Sequence, residues 1–153
     1  DAIVIPIEDI GFALRYISML SEKKYKCING TNVSKTLFGL RFLDCDKVKS
    51  IILIEGVFDA IYLHQLGWIN ALAILGTNLS NTQEKILLGI GCPVWIMLDN
   101  DEGGNQASDK IISKLRRNLI VRKIELPKNK DPNDLAPKEI EEVMIKNNVA
   151  RLK

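Results

Sequence analysis

Ile51-Ile52-Leu53-Ile54-Glu55-Gly56-Val57-Phe58-Asp59 is the stretch that decides how the chain folds. Its first four residues form a continuous apolar run, the pattern of a strand buried on both faces of a parallel sheet. Phe58, Ile61, Tyr62 and Leu66 follow at helical spacing, and Gly67 closes that helix. The rhythm then repeats: residues 71–75 read as strand, 80–88 as helix, 94–98 as strand, 102–117 as helix and 119–126 as strand. Strict alternation of this kind predicts an α/β fold, a mostly parallel sheet flanked by helices.

Working outward, the texture changes on both sides. Upstream, short β-like runs at 3–7, 12–18 and 25–28 are separated by turn-prone clusters such as Asn29-Gly30-Thr31-Asn32. They predict a small β-rich N-terminal subdomain. Downstream, Leu126-Pro127-Lys128-Asn129-Lys130-Asp131-Pro132-Asn133-Asp134 is a polar loop. A last helix is expected over about 137–147, with Ile140, Val143 and Met144 on its apolar side. The expected division is residues 1–45, 46–136 and 137–153.

With 153 residues, 46% of them apolar and 26% charged, the chain has the means to build one core. Net charge is +2, so any basic surface for nucleic acid must be local. Cys27, Cys45 and Cys92 are odd in number and far apart, and His64 is the single histidine. No structural zinc is expected from that inventory, and the cysteines read as reduced thiols of a cytoplasmic protein. No run approaches the ~18 apolar residues of a membrane span, so no membrane partner is expected. The start, Asp1-Ala2-Ile3-Val4-Ile5-Pro6, reads as strand rather than signal peptide. It lacks an initiator Met, which suggests a piece, or a trimmed start, of something longer.

The chemistry lies where strands end. Active sites of open parallel sheets gather at the carboxyl ends of strands. Glu55 directly follows the 51–54 run, and Asp99 and Asp101 directly follow the 94–98 run. Carboxylates brought close raise each other's pKa unless a cation lies between them. Hard oxygen ligands suit Mg²⁺ or Mn²⁺, ions that polarise a phosphoryl oxygen and activate an attacking hydroxyl. Asp59, one helical turn after Glu55, faces the same way. Taken singly, Asp99 or Asp101 reads equally as a helix N-cap, and Gly103-Gly104 as a plain strand-to-helix turn. Thr77 follows Gly76 at the end of a neighbouring strand, where its hydroxyl suits phosphate or simply a turn. Lys128 and Lys130 flank the acidic loop and suit phosphate better than Arg116, Arg117, Arg122 and Lys123, which read as a solvated face.

Four motifs together carry a resemblance: Glu55-Gly56-Val57-Phe58-Asp59, Leu75-Gly76-Thr77, Asp99-Asn100-Asp101 and Lys130-Asp131-Pro132-Asn133-Asp134. They resemble the Toprim domain of DnaG-type bacterial and phage primases, over roughly residues 50–137. The preceding segment, with Pro6, Gly11, Arg15, Lys24-Tyr25 and Lys35-Thr36-Leu37-Phe38-Gly39, is similar to the primase-core subdomain that comes before Toprim. The resemblance implies a Toprim fold behind a partial primase-core subdomain, and a catalytic-core fragment or minimal phage- or plasmid-borne relative. It implies metal-dependent, template-directed synthesis of RNA primers from NTPs on single-stranded DNA, with a replicative helicase as a further partner. Glu55, Asp99 and Asp101 would be catalytic; with Asp59 and Asp131 they would hold two or more Mg²⁺ or Mn²⁺ ions. Arg15, Lys24 and Lys35 would contact nucleotide or template. Asn100 departs from the family's usual glycine, and its tolerance of left-handed backbone is expected to keep the loop intact. The competing readings are a Toprim-type metal-dependent nuclease and a non-catalytic module that docks on a helicase or another replisome subunit.

Overall fold

In a computed structural model the described residues are 1–17, 25–28, 30–149 and 151. Ser18, Lys24 and Asn29 therefore lie outside the described residues. The chain first forms an antiparallel sheet of β1 (Ala2–Ile7), β2 (Gly11–Tyr16) and β3 (Tyr25–Cys27), in that spatial order. Pairing of Ile5 with Ala13 and Ile7 with Gly11 puts the buried Ile5, Ile7 and Ala13 on one face.

The second sheet has the order β5-β4-β6-β7, with every pair parallel. Its strands are β4 (Ile51–Ile54), β5 (Ala71–Ala73), β6 (Val94–Ile96) and β7 (Val121–Lys123). The helices are α1 (Val57–Gln65), α2 (Asn81–Ile90), α3 (Glu102–Leu115) and α4 (Pro137–Lys146). Both the parallel sheet and the helices between its strands agree with the sequence pattern. Ile51, Ile52, Leu53 and Ile54 are each 0% exposed, as a strand covered on both faces must be. Fully burying such a side chain contributes about 1.5–3 kcal/mol, so β4 is the anchor of the fold.

Side chains on a strand alternate between faces. Ile52 and Ile54 join Val57, Ala60 and Leu63 of α1, Ile140 and Met144 of α4, and Ile5, Ile7 and Ala13 of the antiparallel sheet. Ile51 and Leu53 instead join Leu87 of α2, Ala107, Ile111 and Leu115 of α3, and Leu37 and Leu43. The N-terminal strands thus share a core with one face of the parallel sheet. Glu8 reinforces this junction by accepting the Gly39 N–H at 2.9 Å and pairing with Arg41 at 3.5 Å.

Capping follows the residues. Ser80 and Gln83 form a complete capping box at the start of α2, and Asp101 caps α3 by accepting the Gly104 N–H at 2.8 Å. Cys27, Cys45 and Cys92 are free thiols, and no helix among the described residues is long and apolar enough to cross a membrane.

Candidate metal centre

The connection through α1 carries the chain from β4 to β5 on one side, while α2 returns it past β4 to β6 on the other. Strand order therefore reverses between β4 and β6. Ligands of open α/β sheets bind in the crevice at the carboxyl ends of strands that meet this way. Ile54 is in register with Ala73, and Leu53 with Ile96, so the strand ends are level. Glu55 leaves one side of the crevice and the Asp99–Asp101 loop leaves the other.

Burial pushes the Glu55 carboxyl up from its ordinary 4.5 to about 7, and the charges of Asp99, Asp101 and Asp59 add to the effect. Burial likewise pushes Asp59 from 3.8 to about 7, with Asp131 contributing and a hydrogen bond from Asn133 opposing. Asp99 is raised by burial first and then by Asp131, Asp101 and Asp134. The rim is one electrostatic unit, and it reaches Asp131 although β7 separates that residue from the others in sequence.

Local contacts explain how the pieces meet. Asp59, 7% exposed, bends back over the start of α1, where it hydrogen-bonds the Gly56 amide and accepts from Asn133 Nδ2. A Cβ on Gly56 would lie 2.5 Å from Asp59 Oδ2, so glycine at this position leaves room for the carboxylate. Asp131 caps the short 3₁₀ turn Pro132–Asp134, which swings Asn133 onto Asp59. Tyr62 of α1 fastens the following segment by donating to Leu135 O at 2.7 Å. After β5 the backbone bends through Leu75 at φ 61°, a left-handed conformation unusual for a branched side chain, and the Leu75 N–H donates to Glu55 O at 3.0 Å.

A cavity of about 790 Å³ opens between this rim and the antiparallel sheet. Glu55, Asp59, Asp131 and Asn133 line it from one side and Arg15 from the other, with Gly76 at the edge. Arg15 stacks over the Phe58 ring at 5.5 Å, which fixes a cation opposite the carboxylates. Thr77, Lys35, Lys128 and Lys130 are exposed and do not line the cavity. Asp99 and Asp101 stand beside it on the neighbouring strand end. The N-cap reading of Asp101 and its place on the rim coexist, because a carboxylate has a second oxygen to offer.

The donor set fits a hard divalent cation. It is all oxygen, its charges repel one another, and Asp99 Oδ1 is buried with no hydrogen-bond partner among the described residues. No three His, Cys, Asp or Glu side chains among the described residues are gathered closely enough to form a metal cage by themselves. Mg²⁺ does not require such a cage, because it keeps several waters and takes one or two protein carboxylates at a time.

Stability should report this charge crowding. A carboxylate whose folded pKa is raised binds its proton more tightly in the folded chain than in the unfolded one. Stability then falls as pH rises from about 4 to about 7, and the loss is complete above that window. In EDTA, the melting temperature is expected to fall between pH 5 and pH 8, and less steeply in Glu55→Gln. Millimolar Mg²⁺ should restore it at pH 8 but not at pH 5. Thermal denaturation across this range checks the prediction, and identical slopes for parent and Glu55→Gln would refute it.

Asn100 corrects one expectation. It is absent from the residues with positive φ, so its left-handed tolerance goes unused; its side chain is a hydrogen-bonding bridge instead. Sequence does not single out Asn133, and it offers Gly104 only as part of a turn and Phe58 only as an apolar helix position. The first is the variable position of the Lys-Asp-Pro-x-Asp motif, and the other two act through close contacts that spacing does not encode.

A parallel sheet with a strand-end carboxylate facing an Asp-x-Asp pair across its switch point defines a class, and residues 52–136 match the Toprim-like family. The chain belongs to that family. Its relatives are DNA primases: the Clostridium acetobutylicum DNA primase is 32% identical over 156 aligned residues, covering 94% of this chain and 26% of that protein. Among solved structures, the zinc-binding and RNA polymerase domains of Aquifex aeolicus primase match with a TM-score of 0.80 at 29% identity, covering 95% of this chain and 40% of that one. A DnaG primase catalytic domain bound to ssDNA shares the fold, with a TM-score of 0.79 at 22% identity over 95% of this chain and 51% of that one. The chain thus spans about a quarter of the length of the Clostridium relative.

Proposed function

We propose that this chain provides the metal-dependent catalytic site of a DNA primase, joining NTPs into RNA on a single-stranded DNA template. The observation that carries the reading is the two-walled cavity, with Glu55, Asp59 and Asp131 on one wall and Arg15 on the other. Mg²⁺ or Mn²⁺ held by Glu55, Asp59, Asp99, Asp101 and Asp131 would supply Lewis acidity at the transferring phosphoryl group. Glu55, at the end of β4, would act either as the base that accepts the proton of an attacking 3′-hydroxyl or as a ligand that orients the metal. Arg15 offers a forked cation to phosphate oxygens, and its stacking on Phe58 keeps it from collapsing onto the acidic wall. Lys35, Thr77, Lys128 and Lys130 are assigned to template or nucleotide contacts outside the cavity, and Lys24 is assigned to the same role from the sequence alone. The cytoplasm is the assigned compartment, which the free thiols and the bacterial relatives support.

The test is incubation with NTPs, a single-stranded DNA template and Mn²⁺ or Mg²⁺, with products resolved by length. Metal-dependent RNA products that disappear in Glu55→Gln are the expected result. Shortened DNA without RNA would replace the reading with phosphodiester hydrolysis, and neither product would overturn catalysis by this chain.

A further inference from the structure

Asn100 stands between Asp99 and Asp101 and is bonded through backbone and side chain alike. Its N–H donates to Lys130 O at 3.1 Å, and its carbonyl accepts from the Asn129 N–H at 2.8 Å. Its Nδ2 donates to Leu126 O, and its Oδ1 accepts from Asn105 Nδ2 at 3.1 Å. Asn105 Oδ1 in turn accepts from Lys123 Nζ at 2.7 Å. The bridge therefore joins the loop after β6, the first turn of α3, the end of β7 and the 126–134 loop.

The two backbone bonds are available to any residue with an N–H. The two side-chain bonds need a donor and an acceptor on one planar group, which is what a carboxamide provides. The loop so held carries Asp131, whose charge acts on Asp99 and Asp59, and Asn133, which reaches Asp59. Like charges on facing loops push them apart. A neutral carboxamide resists that without adding charge to the rim.

We propose that the Asn100 side chain, braced by Asn105 and Lys123, is a positioning device that holds the 126–134 loop, and with it Asp131, in place on the rim with Asp99 for divalent-cation binding. This rests on the metal-centre reading above. Asn100→Gly keeps both backbone bonds and removes both side-chain bonds. Asn100→Ala does the same with ordinary backbone stiffness.

The experiment titrates Mn²⁺ into parent, Asn100→Gly, Asn100→Ala, Asn105→Ala, the Asn100→Gly/Asn105→Ala double variant and Asp99→Asn, reading free Mn²⁺ by electron paramagnetic resonance. Melting temperatures are measured in EDTA, and titrations are run where every variant is folded. Asn100→Gly and Asn100→Ala are each expected to bind Mn²⁺ about 10-fold more weakly, the scale of partners that orient a metal ligand. The double variant should be no weaker than Asn100→Gly, because both changes break one chain of bonds. If the Asn100 variants bind like the parent while Asp99→Asn does not bind, the positioning role is overturned and the metal centre stands. Variants that melt earlier yet bind Mn²⁺ like the parent overturn it too, since the bridge would then serve only the fold. A parent that binds no Mn²⁺ overturns both.

Discussion

The Asp99→Asn/Asp101→Asn double variant is expected to lose Mn²⁺ binding by at least about 100-fold, more than the 10- to 100-fold typical of partners that only orient a ligand. RNA synthesis should fall with it. The fold should survive, because asparagine caps a helix about as well as aspartate and can still accept the Gly104 N–H. At Asp99 the change removes a charge that burial and three neighbouring carboxylates already disfavour. In EDTA the variant should therefore melt at or above the parent's temperature, while losing the parent's upward shift on adding metal. This opposition between tolerance without metal and failure with it separates a metal centre from a structural cap. Calorimetric titration with Mn²⁺ and paired melts in EDTA and Mg²⁺ check it. Unchanged Mn²⁺ binding would remove Asp99 and Asp101 from the centre.

The second large effect comes from two adjacent glycines with opposite outcomes. A Cβ on Gly104 would sit 2.0 Å from Asp99 O and 2.9 Å from Asp99 C, so the first turn of α3 lies directly on the Asp99 backbone. Backbone cannot rotate aside as a side-chain tip can. Gly104→Ala is therefore expected to cost about 3 kcal/mol, the upper end of overpacking. For a chain of this size that is a drop in melting temperature of about 6–12 °C. A Cβ on Gly103 would meet only Asp101 Oδ1, at 3.5 Å, an ordinary contact. Gly103→Ala should be neutral, or stabilising by up to about 1 kcal/mol, since glycine is a poor helix residue. Urea denaturation of both variants decides the matter. Equal behaviour would mean that α3 does not ride on Asp99, and the orientation of that carboxylate would need another cause.

These glycines show where sequence reading stopped. Gly103-Gly104 is visible as a pair before a helix, and a turn is a fair inference. Which of the two carries the close approach depends on how α3 seats against β6, a distance no spacing encodes. Asn100 is similar. Beside two aspartates it invites a conformational explanation, and the actual one lies in Leu126, 26 positions away in sequence. Arg15 was reached through resemblance; its place opposite Glu55 follows from the antiparallel sheet sharing a core with β4 and α1.

What sequence alone determined was the layered α/β plan and the rim. Apolar runs of strand length, alternating with helical periodicity, leave few ways to bury both faces of a sheet. Carboxylates placed immediately after such runs must then emerge at one edge. The return of the 126–134 loop across the sheet to Asp59, and the wall that Arg15 supplies, come from long-range packing. Both are set by packing between segments far apart in the chain, Asn133 on Asp59 and Arg15 on Phe58, where no local pattern records the neighbour.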